Sequence, residues 1–252
     1  MTSPLDLDQV YFLGDNGLIL SQQLGAWCGR SPDLEEDIAL ANTALDLLGQ
    51  AKLWLGYAAE RRGGGSTAND LAFKRTSKDF RHALLVEQPN GDYGHTLVRQ
   101  FLFDAWHHPY LDLLQASRDQ RAAAIAAKAV KEAAYHLERS QSLVERLGAG
   151  TDESHGYMQR ALNALWPFLA ELTEETERDG EAAASGAVPD PSQVRARVEV
   201  VLEAALKRGG LTVPTVTATI TQRGRRGQHG QAFEALLREM QFLPRSYPEA
   251  TW

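Results

Sequence analysis

Cysteine occurs once in the 252 residues, at Cys28, so an intramolecular disulfide framework is excluded and a thiolate metal cluster nearly so. No stretch without a charged side chain exceeds 14 residues (Asn16 to Gly29, and again Gly209 to Gln222), too short for a helix to cross a bilayer. The opening MTSPLDLDQV has neither a basic nor an apolar segment of the kind that directs export, so the expected compartment is the cytoplasm. Basic residues are outnumbered, 26 Lys and Arg against 33 Asp and Glu. The resulting charge of -7 repels polyphosphate and anionic lipid, and neither nucleic acid nor a membrane is expected as a partner. Alternating β-branched and aromatic residues are nearly absent: LTVPTVTATI is the one β-looking run, and one run cannot make a sheet.

What remains is ordinary globular usage, 43% hydrophobic and 23% charged, which excludes disorder and low complexity. Leu and Ala recur at three- and four-residue spacing over long windows, predicting an all-α fold. Long helices are expected over about 5–27, from the SPDLEED turn to about 62, over 92–117 and over 119–147, with GGGS as a stop after the second. Shorter helical pieces are expected over 68–87. A fifth helix runs through WPFLAELTEE, where Pro167 should kink or break it. EAAASGAVPDPS reads as a linker leading into a helix with Asp190 as N-cap and Pro191 at its first position. A final helix covers about 231–243. No division into independently folding units is evident, so one domain is expected over 1–252, with a core bundle at about 5–147 and accessory helices at about 151–245.

The four long helices form two hairpin pairs, the arrangement of a four-helix bundle. In the di-metal carboxylate form of that bundle, each pair supplies one inward acid from its first helix and a Glu-x-x-His from its second, because residues three apart share a helix face. Asp15 and Asp46 are 31 residues apart and Asp104 and Glu132 are 28 apart, so four acids fall at nearly matching heights. The two histidine slots hold Gly49 and Tyr135, neither of which supplies a neutral nitrogen ligand.

The runs LGDNGLILSQQLGAWCG, DIALANTALDLLGQAK, LLVEQPNGDYGHTLVRQFLFDAWH, AKAVKEAAYHLERS, LVERLGAGTDES and LREMQFL resemble the PaaC family, the C subunits of phenylacetyl-CoA epoxidase (phenylacetate-CoA oxygenase). The likeness spans essentially the whole chain. It implies a ferritin-like four-helix bundle with additional C-terminal helices, a structural subunit of a cytosolic monooxygenase complex that acts in phenylacetate catabolism. It further implies a homologous A subunit that holds the di-iron centre, a B subunit, and a reductase with flavin and iron-sulfur groups, the whole using NADPH and O2 to epoxidise the ring of phenylacetyl-CoA. This chain would then hold no cofactor, metal or catalytic residue of its own; alone, a homodimer is an alternative.

Four acids inside a bundle need compensation, because an unpaired buried carboxylate costs several kcal/mol. Asp15, Asp46, Asp104, Glu132, Lys128 and Tyr135, with Gln22 or Gln50, are expected to form a metal-free polar network at degenerate di-iron positions that include Gly49. The bland reading is that some of these side chains face solvent. A rival reading keeps a metal: His107 follows Asp104 by three and His136 follows Glu132 by four, spacings that would suit a displaced site in a self-sufficient di-metal oxidase. The loop RGRRGQHG, with Arg223, Arg225, Arg226 and His229, is the densest basic patch. It is a candidate contact for an acidic partner or a CoA phosphate, against the simpler reading of a solvated loop. Trp27, Trp54, Trp106, Trp166, Phe101 and Phe103 are expected mostly in the core with some serving an interface, and Cys28 as a small apolar cap.

Overall fold

A computed structural model describes residues 5–215 and 220–250. The described residues hold ten α-helices and no strand, an all-α chain of the ferritin-like helical-bundle class with helices added beyond the second long hairpin. In order they are α1 (Leu7–Gly25), α2 (Leu34–Arg62), α3 (Ala68–Phe73), α4 (Tyr93–Leu114), α5 (Gln120–Gly148), α6 (Asp152–Thr173), α7 (Glu177–Ala184), α8 (Pro191–Arg208), α9 (Gln231–Met240) and α10 (Phe242–Ser246). Two compact units share them. One gathers the described residues of Met1–Asp6, Gly29–Asp37 and Asn90–Ile220; the other gathers those of Leu7–Cys28, Ile38–Pro89 and Thr221–Trp252.

The helix starts follow side-chain chemistry. Asp33 accepts from the Glu36 N–H at 2.8 Å ahead of α2, whose first turn carries Glu35, Glu36 and Asp37 at the positive end of the helix dipole. Asp119 caps α5 through the Ala122 N–H at 3.0 Å, and its other oxygen accepts from the Leu5 N–H at 2.9 Å. Asp190 caps α8 with Pro191 at its first position, as read from the sequence.

In the first unit α4, α5, α6 and α8 pack on one another. α4 is buried almost all round from Thr96 to His107, whereas α5 is amphipathic and buries Ala122, Ile125, Ala126, Ala129, Ala133, His136, Leu137, Ser140 and Val144. This 3.6-residue stripe is rich in alanine, which brings the helices close. At their C-terminal ends α5 and α8 nearly touch: a Cβ on Gly148 would lie 2.6 Å from the Gly209 carbonyl oxygen. Trp106, Phe101 and Phe103 are core residues, as expected.

Three local expectations are modified. Pro167 lies inside α6 and does not break it, the helix continuing to Thr173. The carbonyl that loses its donor belongs to Asn163, an exposed residue at which solvent can take the place of the lost bond. The linker-like stretch opens on the last turn of α7, a helix started before it by a capping box in which Thr176 accepts from the Asp179 N–H at 3.2 Å and Asp179 accepts from the Thr176 N–H at 3.1 Å. The final helix is divided at Gln241 into α9 and α10. LTVPTVTATI is without regular structure over Leu211–Thr215, and residues 216–219 lie outside the described residues. Cys28 is exposed and caps nothing.

In the second unit α1 lies against α2 at close range. A Cβ on Gly14 would meet Leu55 Cδ2 at 2.9 Å, and one on Gly17 would meet the Leu47 carbonyl oxygen at 3.0 Å, so the glycines of GDNG set the approach of the two helices. Trp54 is buried among these contacts.

Candidate functional site

The polar residues of the same GDNG motif point at a loop. Asp15 is fully buried on α1, and the Arg75 guanidinium clasps it through two N–H groups: Nη1 donates to Oδ2 at 3.0 Å and Nη2 donates to Oδ1. The Arg81 backbone N–H adds a third bond to Oδ2 at 2.9 Å. Asn16, the next residue, accepts from the Ala83 N–H at 3.0 Å, and Gln23 two turns on donates to the Glu87 carbonyl. α1 therefore stitches the segment 75–87 along its length. Arg75 is itself held: its Nε and Nη1 donate to the carbonyls of Leu71 and Asp79, and its guanidinium lies over the rings of Phe80 at 4.0 Å and Tyr11 at 4.9 Å. A bidentate guanidinium–carboxylate pair of this kind uses the carboxylate lone pairs a metal would need and places a fixed positive charge beside them. Asp15 does not fit a di-metal centre.

The other members of the expected network separate. On α2 the buried positions are Leu40, Thr43, Ala44, Leu47, Gln50, Ala51 and Trp54, so Gln50 faces inward as proposed while Gly49 is exposed and Asp46 is half-buried. On α5 Lys128 is exposed, Glu132 is half-buried and Tyr135 is 58% exposed. Lys128, Tyr135 and Gly49 thus stand outside any interior network, a correction to the sequence reading. The reason is helical register: the buried stripe of α5 runs through Ala129, Ala133 and His136, one residue away from Lys128, Glu132 and Tyr135. The apolar stripe of α5 was there to be read, but the di-metal template fixed the acids by chain separation alone and so put Lys128, Glu132 and Tyr135 on the wrong face.

Asp104 on α4 is buried, and its partners are Gln100 Nε2 at 2.7 Å and Ser140 Oγ on α5 at 2.8 Å. Burial pushes its carboxyl up to about 6, against the pull of His136 and these hydrogen bonds. His107 and His136 are buried nearby, and burial, with repulsion from His136 and His108, lowers His107 to about 3. His107 packs against Phe103 at 4.8 Å and Trp106 at 5.9 Å. Asp104, His107 and His136 nevertheless do not bring their ligand atoms within 4.8 Å of one another, which removes the geometric ground for the displaced site. Among the described residues one such group exists, His82, Glu87 and His229, all in the second unit.

This last cluster also corrects the reading of RGRRGQHG. His229 is no anion contact: its side chain is buried, Nδ1 lies 2.8 Å from Glu87 Oε2 and Nε2 lies 3.1 Å from the Phe80 carbonyl. Arg225 lies over the Phe12 ring at 4.7 Å, Arg223 is half-buried, and Arg226 alone of the three arginines is exposed, so the four residues do not form one basic patch. The glycines of the loop serve closeness. A Cβ on Gly224 would fall 2.0 Å from the His82 carbonyl oxygen, and one on Gly227, at φ +72°, 2.3 Å from that of Lys78. Gly224→Ala is accordingly expected to cost about 1–3 kcal/mol through forced separation of the loop from residues 78–82, read as a lowered urea midpoint. Sequence reasoning missed His82 and Glu87, since neither carries a short-range motif and His229 lies 142 residues beyond Glu87.

Comparison with known proteins agrees with the whole-length likeness found in the sequence. Residues 3–252 match the family described as Phenylacetic acid catabolic protein. The chain is 48% identical over 240 residues, 95% of its length and 96% of the relative's, to the C subunit of 1,2-phenylacetyl-CoA epoxidase of Escherichia coli (strain K12). Identity this high, running through both hairpins and the C-terminal helices alike, places the chain in the Phenylacetic acid catabolic protein family.

Proposed function

We propose that this chain is the structural, non-catalytic component of a multicomponent 1,2-phenylacetyl-CoA epoxidase, supporting a ferritin-like di-iron A subunit in aerobic phenylacetate catabolism in the cytoplasm. The observation that carries the reading is Arg75 seated on Asp15, a fixed cation where a di-iron oxidase would need a carboxylate open to metal. Near full-length identity to a named C subunit supports membership of such a complex rather than an independent oxidase. A B subunit and a flavin and iron-sulfur reductase drawing on NADPH would complete it. No described helix is long and apolar enough to cross a membrane.

The surface toward the A subunit is the outer face of α2. Ile38, Leu45 and Leu48 are 53%, 65% and 40% exposed and share one helix face with Ala41 between them. Exposed apolar residues in register along a long helix mark a contact surface, and a related helical bundle is the partner the family supplies. Epoxidation is measured with each component omitted, and iron is measured in the desalted isolated chain. Activity of the A subunit with reductase should collapse without this chain, and Leu45→Glu with Leu48→Glu should weaken the complex by about 10–100-fold, the worth of one or two lost apolar anchors. Two irons retained per isolated chain, or epoxide formed by this chain and reductase alone, overturns the reading. Loss of self-association in the double variant, with A-subunit affinity unchanged, would assign the face to a homodimer instead.

A further inference from the structure

None of His82, Glu87 and His229 is among the degenerate di-iron positions or the residues of the helix face assigned to a partner. We propose that these three residues bind one divalent first-row transition ion, with Zn2+ as the reference species, as a structural clasp that fastens the C-terminal segment onto residues 78–88.

The donor set comes first. Two imidazole nitrogens and one carboxylate oxygen suit zinc, cobalt, nickel, copper or ferrous iron, and are poor for magnesium or calcium, which take oxygen. Geometry follows. His82 Nε2 lies 2.9 Å and His229 Nδ1 2.8 Å from the same atom, Glu87 Oε2, and the three ligand atoms are all within 4.8 Å of one another. Around a tetrahedral ion with bonds of 2.0–2.2 Å, neighbouring donors stand about 3.3 Å apart. Opening these contacts by roughly half an ångström therefore makes room for the ion.

For two of the three ligands the atom not aimed at the centre is already employed as it is in metal sites, while His82 Nδ1 is buried without a hydrogen-bond partner. His229 offers Nδ1 inward while Nε2–H donates to the Phe80 carbonyl at 3.1 Å, which fixes the ring and its tautomer. Glu87 offers Oε2 inward while Oε1 accepts the Gly230 N–H at 2.7 Å. The walls are rigid and apolar: His82 and His229 stack at 4.1 Å, and Phe233 on α9 meets them edge-on at 4.4 and 4.7 Å. All three ligand side chains are buried, so the site holds an ion in place and offers no face to a substrate.

The full chain, stripped with chelator and desalted, is titrated with Zn2+ by calorimetry and with Co2+ by visible absorption, and its unfolding midpoint is compared in Zn2+ and in EDTA. Expected are one saturable equivalent per chain, a tetrahedral-type cobalt spectrum, and a midpoint raised by roughly 5–10 °C at a hundredfold excess over Kd. His229→Gln and Glu87→Gln should each weaken binding by at least about 100-fold and abolish the midpoint shift, whereas His107→Gln should retain both. Absence of a saturable equivalent in the unmutated chain overturns the proposal. So does binding that survives in His229→Gln and Glu87→Gln, or that is lost in His107→Gln.

Discussion

Replacing Arg75 by Met should destabilise the protein by about 3–5 kcal/mol, because it leaves Asp15 as a buried carboxylate with no counter-charge. Few single substitutions in this chain are expected to cost as much. Arg75 supplies two of the three hydrogen bonds to Asp15 and also lies over two aromatic rings. Met keeps much of the packing against Phe80 and Tyr11, so the loss reports charge rather than volume. The companion experiment removes the charge as well. Asp15→Asn with Arg75→Met leaves a neutral oxygen to accept the Arg81 N–H, and the double variant should recover a large part of what the single variant loses. Urea unfolding of the four proteins measures the coupling. A loss of less than about 1 kcal/mol in Arg75→Met, or a double variant no better than the single one, would mean that the pair does not hold segment 75–87 on α1.

The pair also marks where the sequence was legible and where it was not. That α1 and α2, and α4 and α5, form two long helical hairpins followed by further helices followed from Leu and Ala spacing, the GGGS stop and the Asp190–Pro191 helix start, all of them local signals. Asp15 and Asp104, placed inside by the spacing of the di-metal bundle template, and Gln50, offered beside Gln22, are buried. Their partners were not legible. Arg75 is 60 residues from Asp15 in a segment of short turns, and no periodicity connects them. Lys128, chosen as the counter-charge because it precedes Glu132 by one turn, shares a helix face with it, and that face is not the buried one. Short-range spacing tells which residues of a helix lie together; a template laid on the acids alone does not tell which side faces the core, whereas the apolar stripe of α5 does. The loop RGRRGQHG shows the same limit from the other direction. Its charge was conspicuous, but its glycines, which let residues 223–230 close on His82 and Lys78, govern where His229 goes.

The second large effect concerns pH. Asp104 has its carboxyl raised from 3.8 to about 6 by burial, so the folded protein binds this proton more tightly than the unfolded chain does. The sign is fixed by that order: the protonated carboxyl favours folding fully below pH 4, and the benefit is lost as pH rises through about 6. Two pH units correspond to about 3 kcal/mol, so at pH 8 the ionised carboxylate is a burden of that order. Asp104→Asn removes it. The amide fits the site because Ser140 can still donate to its oxygen, and Gln100 Oε1, buried without a hydrogen-bond partner, can turn to accept from its NH2. The stability difference between Asp104→Asn and the unmutated chain, followed by urea unfolding from pH 4 to pH 8, should therefore shift by about 3 kcal/mol in favour of the variant, most of it between pH 4 and pH 6.5. A difference that stays flat with pH would show that Asp104 is not held in its neutral form by the interior. A difference that moves in favour of the unmutated chain would show that the carboxylate is compensated by a charge, with His136 the group placed to supply it. The expected shift separates the acid on α4 from the one on α1: Asp15 meets its cost with a guanidinium, and Asp104 meets it by keeping its proton until the pH passes about 6.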